Sequence, residues 1–209
     1  MIVLFDFDGV LADTETPYTE FWNKIGKDYL GLADLGGRIK GPSPGQTLVQ
    51  IFGKYFDGMT REQEEIVPML NEFERNMTYG YIPGAEGFMK ELKAAGIPMA
   101  IVTSSNDIKM SNAYKAHPEL PELVDKILTS EYFSKSKPDP ECFLKGMEIL
   151  GGTPEETVIF EDSFHGLAAG RASGARVIGL ATTNKREAIA PLCDMVIDDF
   201  LGLTVQDIR

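Results

Sequence analysis

Four clusters of polar residues stand where apolar runs stop, and each could do chemistry. Asp6 and Asp8 follow Ile2-Val3-Leu4-Phe5, one residue apart, with Gly9 next to permit a sharp exit. Carboxylates at i, i+2 on an extended segment lie on one side. One of them can act as nucleophile or metal ligand while its neighbour carries a proton. The same D-x-D-G composition also fits a calcium loop or an acidic surface turn. Thr103-Ser104-Ser105-Asn106 follows Met99 to Val102; its hydroxyls and amide suit phosphoryl oxygens, and equally a helix N-cap. Lys137 stands in Lys137-Pro138-Asp139-Pro140, just ahead of a helical pattern, although a lone lysine is ordinarily a solvated charge. Glu161 and Asp162 are adjacent after Val158-Ile159-Phe160 and repel each other unless a cation sits there. Hard oxygen ligands with room for water and phosphate suit Mg²⁺.

These residues need a scaffold that brings strand ends together. Ile2 to Phe5, Met99 to Val102, Lys126 to Thr129, Val158 to Phe160, Val177 to Leu180 and Met195 to Ile197 read as short strands, apolar on successive positions because both faces are buried. Helical patterns lie between them. Ala85 to Ala95 stops before Gly96; Asp139 and Pro140 open a helix through Leu150 as N-cap and first turn; Phe164 to Ser173 stops before Gly174. Alternation of this kind predicts βαβ units on a mostly parallel sheet, a Rossmann-like α/β core. In such sheets ligands bind outside the carboxyl ends of the strands, where all four clusters fall.

One segment breaks the alternation. From Thr14 to Tyr81 the pattern is helical, around Tyr18 to Tyr29, Gln46 to Phe56 and Arg61 to Met77, with a glycine-rich stretch from Gly31 to Gly45. About 65 residues is far beyond the usual two to six of a βα loop. The expected division is a catalytic α/β core over 1–14 and 82–209 and an inserted all-helical domain over 15–81.

Composition narrows the function. The 209 residues carry 20 Lys+Arg against 32 Asp+Glu, a net charge of −12. Such a field opposes nucleic acid and anionic membrane surfaces, and an anionic substrate would need local cations or a metal. Cys142 and Cys193 are too few for a disulfide framework or a four-thiolate zinc site and read as small buried hydrophobes. The apolar run after Met1 is too short for a signal segment, and no stretch approaches a membrane span. A cytoplasmic, monomeric protein acting on a small molecule is the expectation. His117 is expected at the surface and His165 in a structural or solvent role, while Tyr18, Phe21 and Trp22 are expected in the core of the helical insertion.

Taken together, the four clusters resemble the motifs of the haloacid dehalogenase superfamily. Asp6-Phe7-Asp8-Gly9-Val10 matches the first, Thr103 the second, Lys137 the third and Glu161-Asp162 the fourth. The helical insertion resembles that family's cap. The continuation Leu11-Ala12-Asp13-Thr14, the Lys137-Pro138-x-Pro140 motif and the Glu161-Asp162-Ser163 stretch are most similar to the beta-phosphoglucomutase and phosphoglycolate phosphatase branch. The resemblance implies that Asp6 attacks phosphorus and forms an aspartyl-phosphate, and that Asp8 protonates the leaving oxygen and then deprotonates water. It implies Mg²⁺ held by Asp6, the Asp8 backbone carbonyl and Asp162, with Glu161 beside it or bound through water. Thr103, the Ser104 amide and Lys137 would hold the remaining oxygens of a phosphorylated small-molecule substrate.

The second aspartate indicates phosphoryl transfer rather than dehalogenation. Between phosphatase and mutase, Pro42 stands where the mutases carry an arginine and Tyr18 where they carry a cap histidine, so a phosphatase is expected. A non-catalytic phosphate sensor would have lost one of the acids, and none is lost. A response-regulator receiver has no helical insertion after its first strand. Substrate selectivity is expected in the cap, near Lys40 to Gln46, with Lys40 meeting the non-reacting end of the substrate.

Overall fold

The computed structural model describes residues 1–40 and 48–209, with Lys40 defined by its backbone alone. Strand β1 (Ile2–Phe5) opens the chain, followed among the described residues by helices α1 (Glu15–Ile25), α2 (Leu35–Lys40), α3 (Leu48–Tyr55) and α4 (Thr60–Asn76). Then come α5 (Ala85–Ala94), β2 (Met99–Val102), α6 (Asp107–Ala116), α7 (Leu120–Leu123) and β3 (Lys126–Leu128). The chain continues through α8 (Glu141–Leu150), β4 (Thr157–Glu161), α9 (Phe164–Ala172), β5 (Arg176–Leu180), α10 (Arg186–Ile189) and β6 (Met195–Ile197). It divides into two compact units, one formed by Met1–Asp13 with Tyr79–Arg209 and the other by Thr14–Thr78.

The first unit is built on a six-stranded sheet of order β3-β2-β1-β4-β5-β6, with every neighbouring pair parallel. This α/β sheet reverses its direction of growth at β1: β2 and β3 lie on one side, β4 to β6 on the other. Loops leaving β1 and β4 therefore diverge, and a crevice opens at their carboxyl ends. β1 is buried on both faces. Ile2 and Leu4 pack with Val102, Leu128, Phe143, Met147 and Ile159. On the other face Phe5 stacks on Phe160 with ring centroids 5.0 Å apart, and Phe88 and Phe200 close the cluster. Each such side chain contributes about 1.5–3 kcal/mol on burial, which is why the strand is apolar at every position.

Helix α8 starts differently from the expectation. Pro140 takes the N-cap position, its ring already holding φ at −74°, and Asp139 reaches past it so that Oδ1 accepts from Glu141 N at 3.0 Å. Asp139 thus still satisfies a first-turn amide, from one position earlier.

The second unit packs α1 to α4 around Trp22, Ile25, Leu35, Ile51, Phe56 and Ile66, with Tyr18 and Phe21 against them. Helix α1 ends earlier than the apolar pattern indicates and passes into a wider turn over Gly26–Leu30. Helix α2 lies within the glycine-rich stretch between the expected helical patterns; Leu35 buries its side chain, and Gly36 N donates to Asn23 Oδ1 at 2.9 Å, tying α2 to α1. The expected specificity loop, Pro42 included, lies outside the described residues apart from the backbone of Lys40. Among the described residues no helix is long and apolar enough to cross a membrane.

Candidate active site

The carboxyl end of β1 places Asp6 beside that of β4, because Asp6 N donates to Phe160 O at 3.0 Å and continues the ladder by one residue. Asp6 is 8% exposed, and Glu161 and Asp162 are also buried. One oxygen from each of the three lies within 4.8 Å of the others. The chain must then turn sharply, and Gly9 makes the turn with φ +73°. A Cβ on Gly9 would come 2.2 Å from Asp162 Oδ2, so a glycine is required for the two loops to approach.

Lys137 enters this cluster from the connection between β3 and α8. Its Nζ donates to Asp6 Oδ1 at 2.8 Å and to Glu161 Oε1 at 2.7 Å, with Val102 O at 3.4 Å. The same ammonium lies 4.8 Å from the Phe143 ring centroid. Glu161 Oε2 accepts from Asp162 N, Ser163 N and Ser163 Oγ at 2.8, 2.8 and 3.1 Å. This packing needs Gly166 at the start of α9, where a Cβ would fall 1.7 Å from Glu161 Oε1. Burial pushes the Asp6 carboxyl up to about 7; Lys137 opposes that rise, and Glu161 and Asp8 add to it. Burial alone would lower the Lys137 ammonium, but the Asp6 and Glu161 carboxylates outweigh it and hold the group above its ordinary value.

Three buried carboxylates thus face one buried ammonium. The charge imbalance and the hard oxygen donors fit a small divalent cation such as Mg²⁺. Thr183 Oγ1 is buried without a hydrogen-bond partner beside the same glycine turn, 2.8 Å from where a Gly9 Cβ would lie.

Asp8 is held apart from this trio. Its Oδ1 accepts from Lys109 Nζ and its Oδ2 from Ser105 Oγ, both at 2.6 Å. Thr103 is buried and its Oγ1 accepts from Ser105 N at 3.0 Å, while the Ser104 residue is exposed. Asn106 caps α6, its side chain accepting from Lys109 N at 2.9 Å, so the hydroxyl cluster also contains the helix cap that was its alternative reading.

Sequence reasoning passed over Lys109, Thr182 and Asn184, and took Ser105 only as one member of a cluster. Thr182 Oγ1 donates to Gly9 O at 2.5 Å and Asn184 Nδ2 to Asp162 O at 2.9 Å, so the loop after β5 buttresses both turns. His117 is half-buried rather than fully at the surface: its ring contacts Tyr79 O at 2.9 Å and Glu119 Oε1 at 3.1 Å and packs on Tyr81. His165 is exposed, and Cys142 is fully buried with its thiol pushed up to about 11 by burial.

The sequence matches the haloacid dehalogenase-like hydrolase family over residues 3–180. It is 31% identical over 188 residues to hexitol phosphatase A of Escherichia coli, covering 85% of this chain and 81% of that protein. It is 27% identical over 210 residues to a bifunctional riboflavin kinase/FMN phosphatase of Arabidopsis thaliana; the match takes in 98% of this chain but only 54% of that protein. Among solved structures, a HAD family hydrolase from Deinococcus radiodurans with bound phosphate and sodium superposes with a TM-score of 0.78 at 26% identity, covering 97% of this chain and 92% of that one.

Proposed function

Since the chain belongs to the haloacid dehalogenase-like hydrolase family, we propose that it is a phosphatase that hydrolyses small phosphate monoesters through an aspartyl-phosphate on Asp6. The observation that carries the proposal is the buried Asp6 carboxylate at a strand end, 2.8 Å from Lys137 and within reach of Glu161 and Asp162. A carboxylate with a buried ammonium beside it can approach an anionic phosphoryl group, and dividing the reaction at Asp6 replaces one hard displacement by two.

In this reading Asp6 Oδ attacks phosphorus as the bond to the leaving oxygen breaks, and Asp8 gives its proton to that oxygen. Asp8 then takes a proton from water, which cleaves the acyl-phosphate and regenerates Asp6. Positioned acid–base catalysis of this kind contributes roughly 10²–10⁴-fold. Lys137, Thr103 and the Ser104 amide hold phosphoryl oxygens. Asp6, the Asp8 carbonyl and Asp162, with Glu161 close by, would hold a Mg²⁺ ion, which when bound would neutralise phosphoryl charge.

Residues 1–14 and 82–209 form the catalytic core in this proposal, and residues 15–81 the cap. Hydrolysis is favoured over a mutase reaction because Tyr18 offers no imidazole; its hydroxyl donates to Glu74 Oε1 at 2.6 Å within the helical unit. Hexitol phosphatase A and the FMN phosphatase support a small phosphorylated metabolite as substrate. The test is phosphate release from a panel of small esters with Mg²⁺. Activity is expected in the native protein and should fall at least about 10⁴-fold in Asp6→Asn, the scale seen when a nucleophile is removed. Turnover that survives Asp6→Asn or chelation overturns the mechanism.

A further inference from the structure

We propose that Lys109 is a positioning residue for Asp8, fixing the carboxyl so that its proton is exchanged at Oδ2. The inference rests on the acid–base reading of Asp8 above. Asp8 sits in the glycine-turned loop after β1, and its side chain remains 24% exposed, so the loop alone leaves it rotamer freedom. Two donors remove that freedom: Lys109 Nζ on Oδ1 and Ser105 Oγ on Oδ2, each at 2.6 Å.

Both donors are themselves anchored. Ser105 N donates to Thr103 Oγ1, and Ser130 N donates to Ser105 O, each at 3.0 Å. Lys109 N is bound by the Asn106 cap, which fixes the root of the lysine on the first turn of α6. A lysine there is badly placed for its own helix, since the positive end of the macrodipole disfavours a cation by about 0.3–1 kcal/mol. Its side chain is 16% exposed and turned onto Asp8, 101 residues away in the chain. The placement makes sense for the acid it holds rather than for the helix it belongs to.

The two donors are not equivalent. An ammonium has donors only, and a carboxyl oxygen that takes up a proton becomes a weak acceptor, so protonation at Oδ1 would weaken its bond to Lys109. A hydroxyl can donate or accept, so Oδ2 can be protonated with Ser105 still in contact. During phosphoryl transfer the Oδ2–H bond breaks, the proton passes to the leaving oxygen, and that oxygen takes the electron pair of the broken P–O bond. An acid misplaced by about 1 Å loses roughly 10²-fold, so the clamp on Oδ1 decides whether the proton arrives.

The test compares kcat/KM, which reports transfer to Asp6 alone, on an alkyl phosphate and on 2,4-dinitrophenyl phosphate, whose leaving group needs no proton. Lys109→Met is expected to lower kcat/KM on the alkyl ester roughly 30-fold, inside the range of acid–base catalysis, and by less than about threefold on the aryl ester. Lys109→Arg, which keeps the charge and the donors, should recover most of the alkyl activity, with thermal midpoints recorded for each variant. In an Asp8→Asn background Lys109→Met should add nothing. Equal losses on the two esters, as for an anion-binding or purely structural lysine, or additive losses with Asp8→Asn, would overturn the assignment. If Asp8→Asn alone leaves alkyl turnover unchanged, the acid–base reading fails first, and the role of Lys109 falls with it.

Discussion

The two units of the molecule bury different things. Around the sheet, Asp6, Thr103, Ser105, Thr129, Glu161 and Asp162 are buried at or just past the carboxyl ends of four strands. In the helical unit, among the described residues, Thr14 is the one buried polar residue, and the core is Trp22, Ile25, Leu35, Ile51, Phe56 and Ile66. Burying a carboxylate is unfavourable unless a partner or a cation compensates it. The sheet unit thus carries an electrostatic load at one end, whereas the core of the helical unit is apolar. Stability and chemistry are separable between them.

The largest effect should come from Lys137→Met, which leaves Asp6 and Glu161 buried without their shared ammonium. Breaking a buried pair on one side typically destabilises by about 3–5 kcal/mol, and urea unfolding should show it along with loss of turnover. A stable Lys137→Met protein would mean that the acid cluster carries no load.

Trp22→Ala probes the other unit. Removing a large buried aromatic should destabilise by about 3 kcal/mol, read as a lower unfolding midpoint. That loss should not change with Mg²⁺ or with pH near neutrality, since the fully buried residues of that cluster, among the described residues, carry no titratable side chain. A Mg²⁺-dependent loss would break the separation.

The third effect is a pH slope. The folded Asp6 carboxyl titrates near 7, above the ordinary value of about 4 for an unfolded chain. The folded state therefore binds the proton more tightly. Its contribution to stability is full below about pH 4 and is lost as pH rises through about 7, with a slope of at most about 1.4 kcal/mol per pH unit. In chelator, unfolding free energy should fall over this window, and Asp6→Asn should flatten the slope. A slope of opposite sign would show that Lys137 outweighs burial at Asp6.

The smallest effect concerns metal requirement. Both Glu161 oxygens already accept from Lys137 or from Asp162 and Ser163. Asp162→Asn should raise half-saturating Mg²⁺ roughly tenfold, and Glu161→Gln by less than about threefold, if Glu161 acts from outside the ligand shell. Equal shifts would make both acids direct ligands.

The strand ends were legible because a strand buried on both faces is mostly apolar, so the first polar residue after the apolar run marks its end. That logic located Asp6, Thr103 and Glu161 to within a residue. It could not find Lys109 or Asn184, whose distance from Asp8 or Asp162 along the chain follows no helical or strand period; the sheet alone brings them near. It also missed α2, because Leu35-Gly36-Gly37 carries a turn composition while Leu35 is drawn into the core and Asn23 takes the Gly36 amide. Local preference marked a loop, and packing overrode it.

The pairing of β1 with β4 also bears on how the chain comes into being. β1 lies in the middle of the sheet, yet one of its edges is matched only when Val158 reaches Val3 and Phe160 reaches Phe5. Until that late segment arrives, a strand of four apolar residues presents an open edge, the arrangement that invites misassociation. Closing so long a loop is entropically slow. Asp6 and Lys137, 131 residues apart, meet Glu161 only in the same event. A molecule stalled during synthesis before β4 emerges would keep that edge open, and its buried acids would stand apart until β4 takes its place beside β1.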